Sequence, residues 1–308
     1  MAAPRPFDQD AYLSRMNHGG DRTGHLLRCA ARYGMMIAVA ALMLGPFLWL
    51  AYLSVRTAGG IHTWPRGLSD FSFESYPVVW TQFRIGRAML ASFATSLTAV
   101  AITVTLASLA AYPLARFDFY GREIVFLAML STLMMPFQLY MIPLFLQTTK
   151  GLRWLDGLVG FDRHPALAAM AYYGAVVLPA SASVFGVYLI RQFYSGIPKE
   201  LEEAGRVDGA GEFRLWWQLM FPMTKPAVAT LAIFTFVGSW SNFLWPLLVL
   251  PEEYVTLPVA LATLTGAFVD RVSYLAAGSV LAIAPVVAFF LALQRFFLGG
   301  MTAGAVKG

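Results

Sequence analysis

Six stretches of this chain, 19 to 25 residues long, contain no Asp, Glu, Lys, Arg or His. They run Tyr33–Leu53, Met89–Tyr112, Ile124–Leu146, Ala166–Ile190, Ala227–Leu250 and Leu275–Leu293. About 20 apolar residues suffice for one helical crossing of a bilayer. The pattern therefore predicts an all-α integral membrane protein with six transmembrane helices. Composition agrees: 39 of 308 residues are charged, 13%, against roughly 25% in soluble domains. Such a chain cannot cover a water-facing surface with polar groups, which excludes a soluble enzyme and a disordered chain. The net charge is +5, but the basic residues are scattered, which argues against a nucleic-acid partner.

The spans divide the chain into a tail over 1–32, a membrane domain over 33–298 and a C-terminal tail over 299–308. Val255 to Val269 is apolar as well, but Pro258 and Gly266 interrupt it, and a loop or re-entrant segment is expected there. With both termini on one side, that side holds 14 Lys and Arg residues and the other holds 8. The positive-inside bias then places both termini in the cytoplasm. A signal peptide has an apolar core of roughly 7–15 residues, so the 21-residue first span is expected to remain as a membrane anchor.

Several chemistries are missing. Cys29 is the only cysteine, so no intramolecular disulfide can form. His18, His25, His62 and His164 show no metal-ligand spacing, and no metal site is expected. Lys150, Lys199, Lys225 and Lys307 are followed by Gly, Glu, Pro and Gly. None can be the lysine of a phosphate-binding GxxxxGK[ST] loop. No GxSxG nucleophile elbow occurs, and no catalytic residue is expected. Energy for any transport must come from another polypeptide. Spans without ionisable groups offer no evident site for a coupling ion, which favours a neutral, hydroxyl-rich solute.

The most informative segment lies over 191–226, between the fourth and fifth spans. Pro198 suits a helix start, and Glu200, Glu202 and Glu203 fall in its first turns, where the helix dipole favours carboxylates. Leu201, Ala204 and Val207 form a short apolar stripe. Gly209 is placed to end the helix in a left-handed conformation. A second amphipathic stretch with Phe213, Trp216, Trp217 and Met220 follows, and Pro222 is expected to stop it. A helix this short needs a partner surface.

Glu203-Ala204-Gly205, three residues, Gly209, nine residues, then Leu219-x-Phe221-Pro222 resembles the EAA signature of permease subunits of ATP-binding-cassette importers. Gly205 stands where that family usually has a second Ala. Ala111 to Arg122, Met134-Met-Pro136 with Ile142-Pro143, Trp240 to Pro246, Thr256-Leu-Pro258 and Gly300 to Gly308 extend the resemblance to the smaller six-span permease of the maltose-transporter type. The segment Asp156 to Met170 looks longer than is usual there.

The resemblance implies the type I importer permease fold, with a cytoplasmic coupling helix docked in a groove of an ATPase subunit. The residues implied for coupling are Glu200, Glu203, Ala204, Gly205, Asp208, Gly209, Ala210 and Pro222. It implies that Gly304, Lys307 and Gly308 of the C-terminal tail reach the ATPase dimer. The partners implied are a second homologous permease, two ATPase subunits and an external substrate-binding protein, in the inner membrane of a prokaryote. ATP and Mg would be bound by the ATPases, and no cofactor by this chain. Gln138, Trp240, Asn242 and Trp245 are candidates for lining a sugar path, although helix packing explains the same residues and Asn is a common interhelical bridge. A self-sufficient secondary transporter or channel for a small neutral solute is the rival reading.

Overall fold

The computed structural model describes residues 22–57, 67–267 and 272–305. The described chain is helical, with one isolated antiparallel bridge between Arg56 and Phe71. It divides into two compact units, Met1–Tyr52 and Leu53–Gly308. The first unit holds most of α1 (Arg22–Ser54), a long apolar helix with a mean hydropathy of 2.1 over its central window. It has apolar residues on every face, as a membrane span requires.

The second unit is built on α3 (Ile85–Arg116). Ala88, Ala91, Thr95, Ala99, Thr103, Ala107 and Ala111 are all buried. They recur at spacings of three and four, so one face of α3 is made of small side chains. In a bilayer no hydrophobic force draws helices together, and close backbone approach is what lets them associate. Around α3 lie α2 (Ser75–Thr81), α6 (Pro165–Ser181), α7 (Val184–Ser195), α10 (Lys225–Trp240) and α12 (Leu257–Ala267). α13 (Val272–Ala305) packs along α10. There Phe289 stacks on the fully buried Phe236 with ring centroids 4.0 Å apart. Gly186 of α7 shows how tight the contact is. A Cβ placed there would lie 2.9 Å from Leu231 of α10 and 3.0 Å from Ala107 of α3.

Three of the expected spans are broken. Ile124–Leu146 divides into α4 (Arg122–Thr132) and α5 (Phe137–Val159), which meet at 93°. Pro136 has no N–H and its ring opposes the carbonyl four residues earlier, which belongs to Thr132, the last residue of α4. Pro143 sits inside α5 without breaking it. Ala166–Ile190 divides at Ala182 and Ser183 into α6 and α7, bent by 52°, and the Ser183 hydroxyl accepts the Gly186 N–H at 3.0 Å. Ala227–Leu250 ends its first helix at Trp240 and resumes as α11 (Leu244–Val249). Here Pro246 opposes the carbonyl of Asn242 and stops regular helix across it.

Val255 to Val269 departs from expectation in the other direction. Leu257–Ala267 is a helix, because Pro258 occupies its first turn, where a missing N–H costs nothing. The Leu257 N–H donates to the buried Ser92 hydroxyl at 2.7 Å and ties the start of α12 to α3. The segment Asp156 to Met170 is the end of α5, a turn with Gly160 at φ 72°, and the start of α6.

The close approach of α3, α7 and α10 predicts that Gly186→Val overpacks it, at about 1–3 kcal/mol. Gly174→Ala, with open space around its Cβ, should be near neutral. Thermal melting of the purified, detergent-solubilised protein separates the two.

Candidate functional site

The segment between α7 and α10 folds as α8 (Glu200–Val207) followed by α9 (Glu212–Met223). α8 ends as its sequence predicts. Gly209 has φ +80°, the Ala210 N–H donates to the Gly205 carbonyl at 2.9 Å, and the Gly209 N–H donates to Arg206 at 3.0 Å. That pair of bonds is the Schellman arrangement, which needs a left-handed residue at Gly209. α9 contains a π turn over Trp216–Met220, where Phe221 N–H donates to Trp216 O. Pro222 lacks an N–H and crowds the Gln218 carbonyl, which widens the preceding turn. The chain then turns by 79° into α10.

The inner side of α8 is held by ions. Glu202 is 2% exposed, and its Oε1 lies 2.6 Å from Nε of the equally buried Arg116. Nε–H does not point along that line, so the contact is an ion pair and not an aligned hydrogen bond. The other end of the Arg116 fork is directional, donating to the Ile197 carbonyl at 2.7 Å. Arg206 lies 3.5 Å from Glu202 and donates to Glu212 at 2.8 Å. The Tyr112 hydroxyl donates to Glu212 at 2.8 Å. The C-terminal turn of α3 therefore grips both α8 and α9. Nearby, Arg191 donates to the Leu114 carbonyl at 3.1 Å, pairs with Glu123 at 3.0 Å and lies 3.8 Å over the Phe126 ring. The hydrogen bond from Arg206, working against partial burial, holds the Glu212 carboxyl below its usual range. A lowered carboxylate pKa stabilises the fold above the unfolded value and is lost as pH falls through the folded one. The α8–α9 clasp is thus intact at neutral pH and loosens only in acid.

The outer side of α8 is uncovered. Glu200, Leu201, Glu203, Ala204, Val207, Asp208 and Gly209 are exposed, while Gly205 and Ala210 are half-buried. The apolar stripe of Leu201, Ala204 and Val207 thus faces away from the rest of the chain. Gly205 has a packing reason: a Cβ there would lie 2.5 Å from Cδ2 of Leu215, a buried residue of α9.

The remaining predicted residues fall in separate places. Pro222 is half-buried behind the π turn. Gly304 is in the last turn of α13, and Lys307 and Gly308 lie outside the described residues. Gln138 is exposed in the first turn of α5. The Trp240 indole donates to the Ala282 carbonyl and the Trp245 indole to the Ala175 carbonyl, both at 3.1 Å. Both rings are buried. Asn242 instead borders a cavity of about 240 Å³ between α3, the α6–α7 break and α10. Among the described residues no three His, Cys, Asp or Glu side chains converge as a metal would require.

Tyr112, Arg116, Glu202, Arg206 and Glu212 were not singled out by sequence. The i,i+4 pair Glu202 and Arg206 is a visible signal. The pairing to α3, 86 residues away in sequence for Glu202 and Arg116, is not.

Residues 103–302 match a family model described as the binding-protein-dependent transport system inner membrane component. Over 214 residues the chain is 39% identical to the arabinooligosaccharides transport system permease protein AraQ of Halalkalibacterium halodurans, covering 69% of this chain and 71% of that one. It is 30% identical to the diacetylchitobiose uptake system permease protein NgcG of Streptomyces coelicolor, covering 90% and 89%. A crystal structure of a bacterial ABC transporter involved in the import of the acidic polysaccharide alginate has the same fold. Its TM-score is 0.69 at 21% identity, covering 88% of this chain and 98% of that one. The chain belongs to the family of binding-protein-dependent transport system inner membrane components, the membrane permeases of ABC importers.

Proposed function

We propose that this chain forms half of the translocation pathway of an ATP-driven importer for a neutral oligosaccharide, sugar or related polyol. It is a non-catalytic permease subunit. α8 is its coupling helix, seated in a groove of an ATPase subunit, with helix-in-groove recognition through Leu201, Ala204 and Val207. Glu200, Glu203 and Asp208 lie on the exposed side of the same helix and supply its polar rim. A second permease, two ATPases that bind ATP and Mg, and an external binding protein complete the complex. Both termini lie in the cytoplasm, and the tail from 299 to 308, with Gly304, Lys307 and Gly308, reaches the ATPase dimer.

The observation that carries this reading is the two-sidedness of α8. One side is fixed to α3 by the buried Arg116–Glu202 pair and to α9 by the partly exposed Arg206–Glu212 pair. The other presents an apolar stripe with no partner among the described residues. A helix clamped to a membrane span yet bare on its outer face suits a lever moved by a second protein. ATP closes the ATPase dimer, the coupling helices approach each other, and α3 moves with α8 as one body. The cavity then opens outward, and hydrolysis resets it. The oligosaccharides named for the relatives and the uncharged spans support the substrate class. The rival, a transporter that works alone, predicts uptake by vesicles holding only this chain.

Three outcomes test the coupling assignment in purified complexes. A left-handed backbone costs a non-glycine residue about 1–2 kcal/mol, roughly tenfold in an equilibrium. Gly209→Val is expected to lower uptake per ATP hydrolysed by that order, with basal ATPase retained. Arg116→Met strands the Glu202 carboxylate, which costs about 3–5 kcal/mol for a buried pair. Arg116→Met with Glu202→Gln should recover more than half of the lost melting temperature, and strictly additive losses would count against the clamp. Removing Met301 to Gly308 should weaken the coupling of hydrolysis to uptake, and unchanged coupling would reject the role of the tail.

A further inference from the structure

The cavity beside Asn242 differs from the rest of the membrane domain in its hydrogen bonding. Hydroxyls inside membrane helices commonly bond back to the carbonyl three or four residues earlier. In this protein Thr95, Thr105, Ser108, Ser181, Thr230 and Ser241 all do so. Around the cavity the pattern stops. Thr103 is 1% exposed, lines the cavity, and its Oγ1 is unpartnered. Thr235 and Ser239 line it one turn apart on α10, and Asn242 follows in the break after Trp240. None of these three side chains makes a hydrogen bond within the described chain, and no charged residue lines the cavity.

Thr235 and Ser239 stand at i and i+4 of α10 and share one face, and Asn242 in the break borders the same cavity. Opposite them is Ser183, at the α6–α7 break. Two helix breaks from different spans thus border one cavity, the arrangement by which transporters bring polar groups to membrane depth. At its lip, Phe185 and Phe234 meet edge to face with centroids 5.8 Å apart. The cavity holds about 240 Å³, and one of about 150 Å³ already admits a six-membered ring.

Unpartnered hydroxyls and an amide in a bilayer are costly unless something pairs with them. A carboxylated solute would find no cation here. A ring carrying hydroxyls would find the donor–acceptor groups of Thr235, Ser239 and Asn242 along one wall and aromatic edges at the lip.

We infer that Thr235, Ser239 and Asn242 form a subsite in this subunit for one ring of an uncharged, hydroxyl-rich solute. The inference rests on the transport reading above and adds that this permease touches the solute itself. Asn242 and Thr235 border the cavity from the break and from the helix before it.

The test uses the complete importer carrying Cys29→Ser and Asn242→Cys, with Thr235→Cys as a second variant. A small water-soluble maleimide is applied with and without arabinotriose, raffinose, diacetylchitobiose or the charged trigalacturonate. The introduced thiol should react, and at least one neutral sugar should slow the reaction about tenfold, as for a site nine-tenths occupied. Trigalacturonate should not slow it. No reaction at either position would mean that a partner helix fills the cavity and would overturn the subsite. So would reaction without protection, or equal protection by trigalacturonate. Uptake of the same sugars by the wild-type complex reads the transport function separately. Uptake without protection rejects only the subsite, and protection without uptake rejects only the transport reading.

Discussion

The small-residue face of α3 is the constraint from which the rest of the membrane domain follows. Lipid tails are as apolar as leucine, so only close fit and polar contacts hold these helices together. Alanine, serine and threonine at Ala88 through Ala111 let α7 and α10 approach closely enough that Gly186 has no room for a methyl group. A face of leucines would hold the same helices further apart. The same helix then runs on to Arg116, about 20 Å beyond Thr103 at 1.5 Å per residue. One rigid element joins the ion cluster under α8 to the wall of the cavity. In the proposed cycle, force applied at α8 would arrive at Thr103 without needing a chain of side-chain rearrangements.

The Arg116–Glu202 pair is better understood as a device of geometry than of stability. Removing two charges from water costs several kcal/mol per ion, and their attraction often no more than offsets it. An apolar pair in the same place would pack α8 against α3 equally well and would let it slide. A fork that must meet both Glu202 and the Ile197 carbonyl fixes α8 in rotation and in height. Tyr112 and Arg206 complete the restraint through Glu212.

What the sequence disclosed, and what it hid, follows the range of the interactions involved. The end of α8 was legible because Gly209 serves a local backbone requirement. That several helices are apolar enough to cross a bilayer was legible because an uncharged run needs no partner to be recognised. The breaks were harder. A proline acts on the carbonyl four residues before it, so Pro136 and Pro246 end helices at Thr132 and near Asn242, inside runs that look continuous by composition. Pro258 acts in the opposite sense, since a proline in the first turn permits α12 where the sequence pointed to a loop or a re-entrant segment. Gly205 read as a departure from the family pattern until Leu215 of α9 was seen lying over it. The clamp was out of reach because the i,i+4 spacing to Arg206, the local mark on Glu202, says nothing of the approach of α3. Only the approach of α3 decides which of the three carboxylates is buried.

The chemistry of the cavity also bears on where selectivity resides. Three neutral hydrogen bonds, each worth about 0.5–1.5 kcal/mol net, sum to a few kcal/mol. That is the range of millimolar affinity. An importer fed by a binding protein gains from such weakness, since a solute held tightly in the membrane would stall the cycle. Charged groups would bind more strongly and would also carry the desolvation cost of ions at membrane depth. Hydroxyls and one amide can accept successive rings of a passing chain in turn, because each presents both donors and acceptors. On the proposed subsite, selection by sign of charge would be built into the spans, while discrimination among neutral sugars would fall to the protein that delivers them.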